Sequence, residues 1–431
     1  MKKLLATLLA STMALTTIGS LVACGDDNKG GVKGLEIPTG NIELKVWAPD
    51  GAIALYEGLV DTFKAAHKEA KNWTVTFEAK GEGDAASAVR TDPQTGPHIY
   101  FLASDQVDGC VEQAALQKLP EQFAKEVKKR DLEATVKLAS KNNDIYAFPN
   151  VNSNGYFLIY DTEFFTPNEV KSLDTMVAKA TANGKKIIFD YDNAFYNPTF
   201  FWGMGVKVGD TDGEITVDSD EGIEAGKTFI KYFGTGATGV WAKSGGNNGT
   251  AEGFKRGDVV ASVSGTWANE NNVLDNMADN TEGWTRERIA YTKLPMFTDT
   301  QGVSHQMGSF MGAKYTGVNP SKPEKEILAS LHLANWFNTA ENQAARYEAT
   351  KEAPTNNAAL DDDRVKTNPM LKALSEQNEA GGRWQTNVPD TWWTPMGTWG
   401  GNIYDGVTTL NNIEDAMAAL ATALKNVYLE A

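Results

Sequence analysis

Cysteine and histidine are scarce in this chain of 431 residues, which contains two cysteines and four histidines. The histidines lie far apart, and no HExxH or CxxC pattern is present, so a metal site is not expected. Cys24 ends an apolar N-terminal leader and has a separate role there. Cys110 is then the one cysteine that remains, so it has no partner for an intrachain disulfide bond. A chain without disulfides depends on a large core for its stability. Cys110 lies in an amphipathic helical pattern, which predicts a buried, inert thiol.

Motifs of common catalytic sites are also missing. There is no GxSxG nucleophile motif and no phosphate-binding loop that ends in Gly-Lys-Ser or Gly-Lys-Thr. Two carboxylate pairs, Glu82/Asp84 and Asp190/Asp192, have the residue type that glycoside hydrolysis uses. That chemistry needs carboxyl groups on both sides of one bond, whereas a spacing of two in a strand puts them on one face. We therefore expect neither an enzyme nor a bound cofactor.

Basic runs and long apolar runs are absent after the first residues. Acidic side chains outnumber basic ones by 56 to 40, and the formal charge is −16, so a nucleic-acid partner is not expected. No later stretch reaches the roughly 18 apolar residues of a membrane-spanning helix. The length of 431 residues, of which 41% are apolar and 22% charged, predicts a folded protein of two domains.

The N-terminus has the pattern of an export signal. Two lysines precede an apolar run, and small residues lead to Leu21-Val22-Ala23-Cys24. This ending resembles a bacterial lipobox, whose cysteine becomes the lipidated first residue of the mature protein. We predict a lipoprotein signal peptide over 1–23, lipidation of Cys24 and anchoring to the outer face of the cell membrane. A simple cleaved signal with a chance cysteine is the alternative. Residues 24–40, rich in glycine and aspartate, predict a flexible tether.

Strand and helix patterns alternate through the rest of the chain, and a second unit begins near residue 150. The clearest strand candidates are IELKVWA (42–48), WTVTFEA (73–79), HIYFLAS (98–104), GYFLIYD (155–161), KKIIFDYDN (185–193) and VVASVSGTW (259–267). VDGCVEQAALQKL (107–119) predicts one helix. This alternation predicts an α/β fold with mainly parallel sheets.

Polar residues follow the predicted strands of the first unit. Ligands bind to such sheets in the crevice beyond the carboxyl ends of the strands. The residues there that could hydrogen-bond a ligand are Asp50, Glu82, Asp84, Asp105 and Gln106. Ordinary loop polarity is the alternative explanation for these acidic residues.

Residues 387–399, NVPDTWWTPMGTW, combine three tryptophans with two prolines and a glycine. This composition predicts a segment too broken for a regular helix. Neighbouring residues of an extended segment point to opposite sides, so only one of Trp392 and Trp393 can face a ligand. Trp399 is expected in the core or at its rim. The segment is either a structural plug or a platform for a flat ligand.

Several segments resemble the maltose/maltodextrin-binding family, the sugar receptors of bacterial ATP-binding-cassette (ABC) importers. TGPHIYFLASDQVDGCVEQAALQKL is similar to that family's GPDI-strand-Asp-helix segment, and IYAFPNVNSNGYFLIYDTEFF resembles a crossing between its lobes. The most specific match is EGFKRGDVVASVSGTWANENN, which follows the pattern F-x-x-G-x-x-A-x-x-x-x-G-x-W. Trp47 in the opening strand and the NVPD before the tryptophans also fit.

The resemblance implies a periplasmic-binding-protein-like fold, in which two discontinuous α/β lobes close around a sugar in the cleft between them. The N-terminal lobe would be 41–151 plus 304–352, and the C-terminal lobe 156–300 plus 356–431. The chain would cross between the lobes near 151–154, 298–303 and 353–355.

The resemblance also implies binding residues. Trp267 and Trp393 stand where the family stacks tryptophans on sugar rings. Phe195 takes the place of an aromatic that flanks another ring, and Asp105 matches a carboxylate that hydrogen-bonds sugar hydroxyls. Further candidates near these positions are Gln106, Trp392, Tyr196, Asn193 and Asn154.

The chain departs from the family's pattern beside these positions. Gln106 replaces an arginine, Leu102 replaces a tryptophan, and the amides of Asn154 and Asn193 stand near expected glutamates. Despite these departures a carbohydrate ligand is still predicted, but the pattern does not identify which sugar is bound.

Aromatic side chains bury the C–H faces of sugar rings, while carboxylates and amides hydrogen-bond the hydroxyls. Together with this chemistry, the resemblance implies a substrate-binding lipoprotein that captures oligosaccharides, above all maltodextrins, by hinge closure and delivers them to the membrane permease of an ABC importer. Its expected partners are the oligosaccharide, the permease and the lipid bilayer, and we expect a monomer. A surface protein that adheres to polysaccharide and a glycoside hydrolase are the alternatives.

Overall fold

The described residues fold around two five-stranded β-sheets and also form three two-stranded ones. A computed structural model describes residues 35–210, 213–235, 239–386 and 388–430. The predicted signal peptide, the lipidation site Cys24 and residues 24–34 of the predicted tether lie outside the described residues. Within these ranges, no helix has both the length and the apolar character needed to cross a membrane.

The strands of the described residues are β1 (Ile42–Ala48), β2 (Trp73–Ala79), β3 (Ile99–Ala103), β4 (Ser140–Lys141), β5 (Asp144–Ile145), β6 (Ala147–Val151), β7 (Phe157–Asp161), β8 (Lys186–Ile188), β9 (Trp241–Ala242), β10 (Val259–Ser264), β11 (Ile289–Thr292), β12 (Met296–Thr298), β13 (Ser304–Gln306), β14 (Ser309–Met311), β15 (Lys314–Val318) and β16 (Gly382–Trp384).

The α-helices are α1 (Ile53–Ala66), α2 (Glu82–Thr91), α3 (Val107–Glu112), α4 (Glu121–Arg130), α5 (Glu133–Leu138), α6 (Leu173–Ala182), α7 (Thr199–Gly203), α8 (Asp220–Phe233), α9 (Gly249–Arg256), α10 (Val273–Asn280), α11 (Glu324–Phe337), α12 (Ala340–Thr350), α13 (Asn357–Leu360), α14 (Asp363–Lys366), α15 (Pro369–Gly381), α16 (Trp393–Tyr404) and α17 (Ile413–Glu430). Short 3-10 helices cover Asp50–Ala52, Lys68–Ala70, Ser104–Gln106, Glu169–Lys171, Thr266–Asn272, Arg286–Arg288 and Asp390–Trp392.

The first sheet has the strand order β2-β1-β3-β15-β6 and forms the centre of the first lobe. Alternate residues of β1, from Ile42 to Ala48, are buried, as expected for a strand with one face on a core. Helices α1, α2 and α11 contribute apolar side chains to the same buried cluster. The lobe thus has a core of its own.

The second sheet has the order β11-β7-β10-β8-β9 and forms the centre of the second lobe. All residues of β7 and β10 are buried, because helices cover both faces of the sheet. One buried cluster lies on each face. The larger of these clusters includes α8, α16 and α17.

Both sheets are mixed, whereas the sequence predicts mainly parallel ones. Strands β2 and β3 run parallel to β1, but β15 returns to the sheet from late in the chain and pairs antiparallel with β3 and β6. In the second sheet β10 is parallel to β8 and antiparallel to β7. Periodicity within one segment does not reveal the direction of a distant partner strand.

Three segments that connect the lobes lie side by side, and we call 151–154, 311–313 and 353–355 the crossing segments. Asn152 donates its backbone N–H to the Ala353 carbonyl at 2.9 Å, and Asn154 donates to the Gly312 carbonyl at 3.2 Å. The Ala353 N–H is bound by the Ser153 hydroxyl at 2.9 Å.

One predicted crossing lies later in the chain than 298–303. Phe297, Met307 and Phe310 share a buried cluster with Trp392, so residues 304–311 pack with the second lobe and not with the first. The antiparallel hairpin of β12 and β13 keeps the chain in the second lobe across the predicted crossing.

Three local predictions also need correction. Leu35 and Ile37 pack on the first-lobe core, so a flexible tether does not extend to residue 40. The helix predicted over 107–119 ends at Glu112, because Ala114 adopts a left-handed backbone conformation with φ of 50°. The tryptophan-rich segment is helical from Trp393 onward, since Pro395 falls in the first turn, where a missing N–H costs no helical hydrogen bond.

Candidate ligand-binding site

Four aromatic rings follow one another along the second lobe, and we call Trp267, Phe195, Phe310 and Trp393 the aromatic row. The ring centroids of Trp267 and Phe195 are 6.0 Å apart, and Phe195 stacks on Phe310 at 5.5 Å. Phe310 lies 5.8 Å from Trp393. Trp267, Phe195 and Trp393 are partly exposed, whereas Phe310 is fully buried beneath them. The fold therefore brings together three predicted residues that are far apart in the sequence.

Close packing against the backbone holds the Trp267 ring in place. Trp267 lies in the 3-10 helix that follows β10, and its ring covers the preceding Gly265, where a Cβ atom would come within 2.2 Å of the indole. Burial raises the pKa of Tyr196, and the neighbouring side chains of Trp267 and Ser264 act to lower it. Tyr196 itself is only 8% exposed, so it supports Trp267 from below.

The three tryptophans of the 387–399 segment have different surroundings. Trp392 is fully buried and donates its indole N–H to the Val208 carbonyl at 2.7 Å. It is a core side chain, and the prediction that it contacts a ligand is withdrawn. Trp399 is also in the core, where it packs on Phe201 and Phe229. Trp393 crosses the Trp392 ring at 87° and keeps part of its surface exposed.

Two aromatic residues of this site, Phe310 and Tyr156, are not predicted from the sequence. Tyr156 is buried, contacts the rings of Phe195 and Tyr196, and shares a hydrogen bond of 2.9 Å with Thr199. Tyr156 closely follows one crossing segment and Phe310 directly precedes another. Because the crossing segments connect the two lobes, aromatic residues next to them are candidates for the site.

Asp105 presents a buried carboxylate on the first lobe. It lies in the 3-10 helix Ser104–Gln106, directly after β3, and is 9% exposed. Its Oδ1 atom has no hydrogen-bond partner among the described residues. Burial raises the pKa of Asp105 to about 7, although hydrogen bonds from its own backbone and from Gln385 and the charge of Arg90 act to lower it. A carboxylate in this state gains from a ligand that donates hydrogen bonds.

Gln385, which the sequence analysis did not single out, links Asp105 to the crossing segments. Its side-chain oxygen accepts the amide of Asn154 at 2.9 Å, and its backbone carbonyl accepts the Ser104 hydroxyl at 2.9 Å. The backbone N–H of Gln385 donates to Met311 at 2.9 Å. Asn154 thus lies beside the site, with its amide N–H group engaged by Gln385.

Gln106 has a local structural role. Its amide donates to the Gly83 carbonyl at 2.9 Å and accepts from the Ala103 N–H at 3.3 Å, and the side chain is buried. These bonds fix the turn that carries Asp105. A direct ligand contact would require Gln106 to give up one of them.

The remaining candidates lie outside the aromatic row. Glu82 begins α2 and is ion-paired with Lys314 at 3.0 Å, and Lys314 also binds Glu352 at 2.8 Å. Asp50 and Asp84 are exposed on the first lobe. Asn193 is exposed and accepts the Phe195 backbone N–H at 2.9 Å, so it shapes the loop that carries Phe195. The described residues contain no group of three or more histidine, cysteine or acidic side chains placed to hold a metal ion.

The buried state of Asp105 makes ligand-free stability depend on pH. Its pKa is near 4 in an unfolded chain and about 7 in the fold, so between these values the folded chain holds one more proton. The free energy of unfolding of the wild type relative to Asp105→Asn should therefore fall by up to about 4 kcal/mol as pH rises from 4 to 7. Urea unfolding of both proteins across this range measures the difference. Equal pH dependence of the two curves would contradict the burial of this carboxyl group.

A two-lobed α/β fold, with aromatic faces on one lobe and a buried carboxylate on the other, agrees with a solute-binding protein. Residues 58–373 match the family of bacterial extracellular solute-binding proteins, and the chain belongs to that family.

Individual relatives agree with this assignment. The chain is 22% identical to the maltodextrin-binding protein MdxE of Bacillus subtilis (strain 168), and the alignment covers 100% of this chain and 99% of that protein. A structure solved with acarbose is 24% identical, with a TM-score of 0.78 over 90% of this chain and 99% of its own. The maltose/maltodextrin-binding domain MalE of Bdellovibrio bacteriovorus, bound to maltotriose, is 16% identical, with a TM-score of 0.74 over 90% of this chain and 100% of its own. These structures share the two-lobed fold.

Proposed function

We propose that this protein captures oligosaccharides of the maltodextrin type and delivers them to the permease of an ABC importer. The aromatic row is the observation that carries the proposal. Its partly exposed rings offer a series of flat apolar faces, as a chain of linked sugar rings requires. Asp105 supplies a carboxylate for the hydroxyl groups. The relatives named for maltodextrin or bound to maltotriose support the same ligand class.

Binding is coupled to closure of the two lobes. On the observed packing the first lobe would be 41–151 plus 312–352, and the second 156–311 plus 356–431. The candidate groups are divided between them, with the aromatic row on the second lobe and Asp105 on the first. A ligand that contacts both sets favours the closed arrangement by its differential affinity. Glu82, Asp84 and Asp50 remain candidates only if closure brings them toward the ligand.

The location of the protein is part of the proposal. The Leu21-Val22-Ala23-Cys24 ending supports a lipid anchor at Cys24, which would keep a monomeric receptor at the outer face of the membrane, beside its permease. Membership of an extracellular family agrees with this placement.

A calorimetric screen of maltodextrins, other glucans, galactosides and xylosides tests the function. We expect saturable binding of maltotriose and maltotetraose, with smaller or no heats for the other classes. Absence of binding by every sugar at millimolar concentration would overturn the proposal. Release of reducing sugar would favour a glycoside hydrolase, and binding to insoluble polysaccharide alone would favour an adhesive surface protein.

A further inference from the structure

An ion pair joins the two lobes beside the candidate site. Arg90 lies on α2, whose Ala85, Ala86 and Val89 belong to the first-lobe core. Its guanidinium pairs with the carboxylate of Asp390, which begins the 3-10 helix leading into Trp393. The Arg90 side chain is 10% exposed and that of Asp390 is 36% exposed. The Arg90 end of the pair is therefore largely shielded from water, and the Asp390 end only in part.

The guanidinium of Arg90 also lies against α3, which directly follows the 3-10 helix that carries Asp105. A Cβ atom at Gly109, on α3, would come within 2.6 Å of Arg90 Nη1, so the absence of a side chain there admits the guanidinium. Arg90 lowers the pKa of both Asp105 and Cys110 by its positive charge. One cation thus pairs with a carboxylate of the second lobe and lies against the first-lobe helix that follows Asp105.

We propose that Arg90 is a positioning residue for ligand binding, which couples the carboxylate of Asp105 on the first lobe to the start of the Trp393 helix on the second. This inference rests on the proposed function. The ion pair between Arg90 and Asp390 favours the arrangement of the lobes seen here. The positive charge of Arg90 near Asp105 sets how readily that carboxyl group ionises. The other groups that act on Asp105 are the side chain of Gln385 and the thiol of Cys110, which is neutral at physiological pH because burial raises its pKa to about 11.

Substitutions can separate the two interactions. Asp390→Asn removes only the interlobe charge, so we expect maltotriose affinity to change about 5- to 30-fold, with the pH midpoint of binding unchanged. Arg90→Gln removes both interactions, so affinity should change as well and the midpoint should also move to higher pH, because Asp105 becomes harder to ionise. Arg90→Lys keeps the charge and should keep the midpoint near that of the wild type.

Calorimetry with maltotriose between pH 5.5 and 8.5 measures both quantities. Arg288→Gln is the matched control, because Arg288 pairs bidentately with Asp161 inside the second lobe alone. It should lower stability and leave affinity and its pH midpoint unchanged. An unaltered midpoint in Arg90→Gln, or wild-type affinity in Asp390→Asn, would overturn the inference.

Two measurements without ligand keep this inference separable from the proposed function. Carboxyl NMR titration of Asp105 should show a higher midpoint in Arg90→Gln than in the wild type or in Asp390→Asn. Spin labels at Lys128→Cys and Thr422→Cys, exposed sites on the two lobes, should show an altered interlobe distance distribution in Asp390→Asn. If the wild type binds no maltodextrin, only the function fails. If neither ligand-free measurement changes, the inference fails.

Discussion

Replacing Trp267 with alanine is expected to weaken maltotriose binding by about 30- to 1,000-fold, as for a central aromatic contact of an interface. The indole is partly exposed at one end of the aromatic row, and its ring offers the largest flat apolar face there. Alanine removes this face without opening a cavity in the centre of the core. Titration calorimetry of the wild type and the variant gives the ratio of dissociation constants.

Two further variants show whether this loss belongs to the position of the ring. Gly265→Ala leaves Trp267 in the chain but displaces its indole, so it should also lower affinity, by about tenfold. Trp47→Ala removes a half-buried indole on the first lobe, where it contacts Lys80 and Glu78, and should leave affinity within about twofold. Equal losses in Trp47→Ala and Trp267→Ala would mean that general destabilisation, and not a sugar contact, lowers the affinity.

Trp392→Ala should lower the free energy of unfolding by about 3–5 kcal/mol, the range for truncating a fully buried tryptophan. The substitution empties a site in the second-lobe core and leaves the Val208 carbonyl without its donor. Chemical denaturation followed by circular dichroism measures the change. Trp392→Phe keeps most of the volume and gives a folded comparison if the alanine variant does not accumulate.

The neighbouring Trp393 provides the contrast. Trp393→Ala should cost about 1 kcal/mol of stability or less, because part of its surface is already exposed, but it should weaken maltotriose binding at least tenfold. The opposite pattern, with Trp392→Ala stable and Trp393→Ala unfolded, would reverse the assignment of the two rings.

The tryptophan-rich segment illustrates how far local sequence rules extend. Two prolines and a glycine suggested an irregular segment, yet α16 begins at Trp393 and runs to Tyr404. Pro395 is harmless because it lies in the first turn, where backbone N–H groups have no helical acceptor. Whether a proline lies in the first turn or in the middle of a helix depends on where the helix begins, and that start is set here by the packing of Trp392 in the core.

The structure agrees with the sequence-based predictions for features that a single segment determines, such as where a strand ends. The strand endings after β1 and β3, and the glycine before Trp267, were visible in the sequence. Phe310, Gln385 and Arg90 were not, because their importance comes from partners far away in the chain. Gln385 meets Asn154 across 231 residues, and no pattern within either segment indicates that contact. Likewise, Trp392 and Trp393 differ only in which of them faces the core.

The side-by-side crossing segments restrict how the two lobes can move. Hydrogen bonds from Asn152 to Ala353 and from Asn154 to Gly312 tie three chain passages into one narrow strip. Such a strip bends readily across its width but resists twisting and sliding, since either would break several of these bonds together. If the lobes close as proposed, bending at this strip would return the aromatic row and Asp105 to the same alignment each time, and a linear oligomer would be held in one register.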